Sequence, residues 1–139
     1  MKILFDTNVI LDVLLDRQPF SDDATSLMSA VEIGILQGYI CATTLTTIHY
    51  IASKTIGEKA ARQALSHLLK LFEVAPVTRV VLSKALDSSF TDFEDAVLNQ
   101  SALHVGALGI VTRNLKDFQG TTLAVYSPQA LLASISSIK

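Results

Sequence analysis

Cysteine is almost missing from this 139-residue chain, where Cys41 stands alone. One cysteine excludes an internal disulfide framework and a structural zinc site built on several thiolates. Its default place is as a small core residue. Proline (3) and glycine (6) are sparse, so there is little chain for loops, and no linker, repeat or run of like charge divides the sequence. No apolar run approaches the roughly 20 residues of a membrane helix. Asp6 interrupts the apolar start Ile3-Leu4-Phe5 too early for a secretory signal. A cytoplasmic protein with no membrane contact is the expectation. An excess of one charge is also lacking: 11 basic against 13 acidic residues leave a net charge of −2. That excludes coating nucleic acid by bulk electrostatics and leaves a small local contact open. The sequence has no GxSxG, Walker A or GxGxxG, and His49, His67 and His104 lack zincin spacing. Serine-hydrolase, P-loop and dinucleotide chemistry therefore lack their parts. The apolar neighbours of His104 predict a core histidine, and His67 is expected at the solvent boundary.

What is present is apolar: half of the residues, with only 17% charged. A chain of this length makes one ordinary domain, residues 1–139, with ample core. Mean hydropathy of +0.43 predicts either a full core under amphipathic helices or apolar surface covered by a partner or a second copy. Short apolar segments (3–5, 39–42, 74–75, 109–111, 122–125) alternate with helical patterns. The helices are expected over 8–16, 21–37 with Gly38 as the stop, 43–55, 58–72, 78–87 and 92–107, and from Ser127-Pro128 onward. This alternation predicts an α/β fold, a three-layer α/β/α sandwich with a short central parallel sheet. Sites in such sheets lie beyond the carboxyl ends of the strands.

Three oxygen-rich clusters stand at or near such positions. Asp6-Thr7-Asn8 follows the first strand and serves equally as a helix cap or as a site. In Asp92-Phe93-Glu94-Asp95 the two aspartates share a helix face; Asp92 and Glu94 also suit a first turn, whereas Asp95 leads directly into Ala96-Val97-Leu98. Thr112-Arg113-Asn114-Leu115-Lys116-Asp117-Phe118 follows the fourth strand and, alone, reads as a polar turn. Together they supply hard oxygen donors suited to Mg2+ or Mn2+. Carboxylates gathered in one crevice repel, and a divalent cation relieves that, activates water and steadies a phosphoryl oxygen. This is the physical case for metal-assisted phosphodiester hydrolysis.

At these residues the chain resembles the PIN domain family over nearly its whole length. Phe5-Asp6-Thr7-Asn8-Val9-Ile10-Leu11-Asp12 resembles the family's opening strand and acid, Asp95-Ala96-Val97-Leu98 its late-helix acid, and Ile110-Val111-Thr112-Arg113-Asn114-Leu115-Lys116-Asp117-Phe118 its closing motif. The resemblance implies a Mg2+- or Mn2+-dependent ribonuclease. Many small members are toxins of toxin–antitoxin pairs, commonly homodimers restrained by a cognate antitoxin. It further implies Asp6, Asp95, Asn114 and Asp117 as the catalytic set. Asp6, Asp95 and Asp117 would be metal ligands, with Asp92 of second rank, and Asn8 and Thr112 would orient ligands or water. Arg113 and Lys116 flank this pocket as RNA contacts, and Lys54, Lys59 and Arg62 offer a basic edge.

The sequence departs from the family pattern twice. The usual Glu after the second strand is missing from Thr43-Thr44-Leu45-Thr46-Thr47-Ile48-His49-Tyr50-Ile51, its place falling near His49. Asn114 stands where Asp is frequent. Two alternatives stay open: a PIN-like module that binds RNA or protein without cutting, and a haloacid-dehalogenase-type phosphatase built on Asp6-Thr7-Asn8, in which Asn8 could not act as the general acid.

Overall fold

The computed structural model describes residues 1–137, so the last two residues of the expected 1–139 domain lie outside the described part. Five short strands form one fully parallel sheet: β1 (Lys2–Phe5), β2 (Gln37–Cys41), β3 (Glu73–Ala75), β4 (Gly109–Val111) and β5 (Ala124–Tyr126). Their order is β3-β2-β1-β4-β5. Between and after them run α1 (Thr7–Leu14), α2 (Ser21–Glu32), α3 (Ala42–Ile56), α4 (Glu58–Leu71), α5 (Arg79–Leu86), α6 (Phe93–His104), a 3-10 turn (Leu115–Phe118) and α7 (Pro128–Ser136).

Strand alternation divides the core in two, as a sheet covered on both faces requires. Ile3 and Phe5 point into one layer with residues of α1, α2, α3, α4 and α7, where the Phe5 and Phe72 rings meet edge to face at 5.1 Å. Leu4 points into the other, with Val81 and Ala85 of α5, Ala96, Val97 and Leu98 of α6, and Phe118. This is the three-layer α/β/α sandwich expected. Cys41 is fully buried and His67 exposed, also as expected.

The differences have local causes. α2 ends at Glu32, not near Gln37, because Gly34 takes φ +86° and closes the helix. Its N–H donates to Val31 O at 3.1 Å, and that of Ile35 donates to Ala30 O at 2.9 Å, a Schellman end. Gly38 is no stop. It lies inside β2, where a Cβ would stand 2.6 Å from the Phe72 ring. Strand β2 accordingly begins at Gln37 and gives way to α3 at Ala42, so neither Thr43 nor Thr44 caps that helix. Gly106, at φ +72°, stops α6 at His104 rather than Ala107, which leaves His104 exposed on the last turn instead of in the core. β5 lies at Ala124–Tyr126, two residues on from the expected start. Among the described residues, no helix is long and apolar enough to cross a membrane.

Candidate active site

The strand order reverses between β1 and β4: from β1 the chain builds outward through β2 and β3, and from β4 it goes the other way to β5. A crevice opens beyond the carboxyl ends of the strands at such a point. Asp6 is the first residue past β1 and Thr112 the first past β4. Backbone bonds fix both: Asp6 N–H donates to Val111 O at 3.0 Å and Thr112 N–H to Tyr126 O at 2.9 Å.

Asp6 is a cap and a site residue at once. Its Oδ1 accepts the Thr7 N–H at 2.8 Å, which starts α1. Its Oδ2 accepts the Thr112 hydroxyl at 2.7 Å and the Asn8 amide at 3.3 Å. Thr112 Oγ1 in turn accepts the Asn114 N–H at 2.9 Å, and Asn8 Oδ1 accepts the Arg113 N–H at 3.3 Å. Asn8 and Thr112 thus hold the acid and the β4 exit loop in one frame. Burial raises the Asp6 carboxyl above its ordinary range, against the pull of the Thr112 and Thr7 hydrogen bonds, and the Asp117 charge adds to the rise.

Asp95 arrives from the third element. Asp92 caps α6, its Oδ1 accepting the Asp95 N–H at 3.0 Å, and this sets Asp95 in the first turn. The Asp95 carboxyl is pushed up to about 7, first by burial, then by the charges of Asp92, Asp6, Asp117 and Glu94. The acids of α6, β1 and the 3-10 turn therefore share one field. Asp117 is carried on that turn, which the buried Phe118 anchors edge to face against Phe90 at 6.2 Å. A cleft of about 560 Å³ is lined by Arg113, Asn114, Leu115, Lys116 and Asp117.

Among the described residues, no three His, Cys, Asp or Glu side chains form a ready metal cage. Asp6, Asp95, Asp117 and Asp92 are therefore not gathered into one closed ligand set; a cation such as Mg2+, which keeps several waters, needs only one or two carboxylates plus substrate oxygens. Asp6 is bonded only to neutral donors, Asp95 sits in no salt bridge among the described residues, and the Asp6 charge adds to the rise of Asp95.

A second network stands behind the first. Asp12, only 1% exposed, faces inward from α1. Its Oδ1 accepts Arg17 Nε at 2.8 Å and its Oδ2 accepts Arg113 Nε at 2.7 Å; Arg113 Nη2 adds a bond to Oδ1 at 3.2 Å. Arg17 Nη2 also donates to Asn8 O at 3.2 Å, and the Arg113 guanidinium lies 3.9 Å above the Phe20 ring. Arg113, expected to touch RNA, is therefore engaged mainly with Asp12, while Lys116 stays exposed at the cleft. The sequence offered Asp12 within the opening motif without a role and gave Arg17 none. The available signal was an acid among Val9, Ile10, Leu11 and Val13, since such an acid needs a cation.

The helix after β2 carries no carboxylate into the site. Thr44 is buried there and meets the Thr7 hydroxyl at 3.4 Å. His49, near the position at which the resemblance places a Glu, pairs with Glu58 of α4 at 2.7 Å. Arg62 pairs with the same Glu58, and Lys54 lies over Tyr50, so two cations of the expected basic edge have local partners.

A family model described as PIN domain matches residues 2–116. Ribonuclease VapC1 of Aquifex aeolicus is 25% identical over 136 residues, which span 92% of this chain and 91% of that protein. The solved VapBC2 from Rickettsia felis, bound to a DNA fragment from its promoter, aligns at a TM-score of 0.72 with 15% identity, over 91% of this chain and 98% of the other. A toxin–antitoxin complex from Klebsiella pneumoniae aligns at 0.68 with 25% identity, over 91% and 97%.

Proposed function

This chain belongs to the PIN domain family, and from that and the geometry above we infer that it is a divalent-metal-dependent endoribonuclease, the toxin of a toxin–antitoxin pair. The observation that carries the reading is that Asp6 stands at the strand-order reversal and that its charge, with those of Asp92 and Asp117, bears on the half-buried Asp95 carboxyl. Asp6 and Asp95 would hold the cation, Mg2+ or Mn2+, with Asp117 completing the field and Asp92 contributing charge while it caps α6. The bound metal supplies an activated water and a Lewis acid for a phosphoryl oxygen. Thr112 and Asn8 keep Asp6 oriented, Asn114 presents its amide to the substrate, and Lys116 meets backbone phosphates, while Arg113, first expected to do so, stays bonded to Asp12. Attack at phosphorus breaks the P–O3′ bond and leaves a 5′-phosphate and a 3′-hydroxyl.

Residues 1–139 act as one cytoplasmic domain in this reading. A cognate antitoxin is the expected partner, in line with the toxin–antitoxin complex among the structural neighbours. A homodimer would cover apolar surface such as Val80, Leu82 and Leu86 on α5 and Leu103 on α6. A second reading, a module that binds without cutting, is favoured by the acid-free first turns of α3. The phosphatase reading is not retained, since the family match is to another fold family. The test is incubation of a mixed structured-RNA pool with Mg2+ or Mn2+ and analysis of the product ends. Metal-dependent cuts bearing 5′-phosphates support the ribonuclease. RNA binding without cleavage, in folded protein free of any partner, supports the binding module.

A further inference from the structure

Beside the cleft at Asn114 and Asp117 lies a second cavity of about 400 Å³, walled by Pro19, Phe20, Asp23, Arg113, Pro128 and Gln129. Arg113 lines both. We propose that this cavity receives one unpaired nucleobase of the RNA strand whose backbone lies at the carboxylates, and that it selects bases carrying an exocyclic amino group. The identity of the ligand rests on the ribonuclease reading; the selection rests on the cavity itself.

Three observations carry the assignment. The first is continuity. Arg113 N–H is bonded to Asn8, and Asn8 to Asp6, so the cavity mouth stands two hydrogen bonds from the reacting centre. The second is the wall. Phe20 remains 40% exposed although a guanidinium covers part of its ring, and two prolines add flat apolar surface. Unpaired RNA bases are held on such aromatic and arginine planes. The third is the polar edge. The Arg113 guanidinium is committed to Asp12 and so acts here as a rigid plane, with little left to clamp a phosphate. Asp23 is exposed and sits in no salt bridge among the described residues. It would repel a phosphate but accept N–H bonds from cytosine, adenine or guanine. Gln129 supplies a donor and an acceptor beside it. Uracil, which presents carbonyls where cytosine presents its amino group, meets Asp23 oxygen to oxygen.

The test uses fluorescence anisotropy of short labelled oligo(C), oligo(A) and oligo(U) with the whole protein in EDTA, so that nothing is cut. Wild type is compared with Phe20→Leu, Asp23→Asn and Gln129→Ala, each shown folded by thermal melting. The wild type should bind oligo(C) and oligo(A) more tightly than oligo(U). Phe20→Leu should weaken all three about tenfold, as loss of one stacked base does. Asp23→Asn should bring oligo(U) to within about twofold of the others, the carbonyl repulsion being gone. No single-strand binding by the wild type, unchanged affinity in Phe20→Leu, or an intact preference in Asp23→Asn would each overturn the proposal; unchanged affinity would turn the cavity toward a peptide segment instead. Cleavage in Mg2+ is scored separately. Binding through Phe20 without any cleavage sinks the ribonuclease reading and leaves the base site standing. Cleavage with the same KM in Phe20→Leu sinks the base site alone.

Discussion

The Thr112 hydroxyl donates to Asp6 Oδ2 at 2.7 Å, joining residues 106 positions apart in the chain. The bond crosses the point where the strand order turns, and the same hydroxyl accepts the Asn114 N–H. One side chain thus orients the buried acid and shapes the loop that carries Asn114 and Asp117. Thr112→Val keeps the shape and removes both bonds, leaving a buried carboxylate short of a donor. The expected cost is about 1–3 kcal/mol in urea denaturation, with a fall in cleavage. Thr112→Ser retains the hydroxyl and should recover most of both.

Asp12 is a different kind of buried acid, because its charge is matched by two guanidiniums. Removing one partner of such a network strands the rest. Asp12→Asn should destabilise the fold by about 3 kcal/mol, read by denaturation. Arg17→Met should cost clearly less, since the Arg17 side chain is 37% exposed and water can replace its neighbours. Equal effects would contradict the inner position assigned to Asp12.

The pH dependence follows from Asp95. Its carboxyl is pushed up to about 7 in the folded chain, against an ordinary 3.8. Between those values the native state binds more protons than the unfolded one, so this group's contribution to stability is complete below about pH 4 and is lost as pH rises through 7. In metal-free protein Asp95→Asn should therefore melt higher than wild type at pH 8, by ~1–2 kcal/mol after allowance for solvent screening, with the gap closing toward pH 4. Added Mn2+ at pH 8 should raise the melting temperature of the wild type and raise that of the variant less at the same concentration.

Gly38 gives a packing test. An added Cβ would press on the Phe72 ring and on Val31. Gly38→Ala should cost about 1–3 kcal/mol through overpacking in a strand whose backbone tolerates alanine. Gly38→Ala combined with Phe72→Leu should recover part of it.

Gly38 also marks where sequence reading ended. A glycine after a helical pattern reads as a stop, and nothing local says that Gly34 has already stopped the helix and that Gly38 admits an aromatic ring from Phe72. The alternation of short apolar strands and helices was legible, and the sandwich followed from it. The positions of Asp6 and Thr112 were legible because each directly follows a strand, and that of Asp95 because it follows the Asp92 cap. Asp12 and Arg113 were not, since their bond spans 101 positions and only the β1–β4 pairing brings them together. The cavity at Phe20 was hidden for the same reason: its walls come from the turn before α2, the β4 exit and the start of α7.

The central claim is that Asp6 and Asp95 share one divalent cation. Mn2+ titration by calorimetry, on wild type, Asp6→Asn and Asp95→Asn, tests it most directly. The account predicts a single site in the wild type, weakened about tenfold or more in each variant, because one of two carboxylate ligands is gone. A site that keeps its full affinity in both variants, or a wild type that takes up no Mn2+, would contradict it.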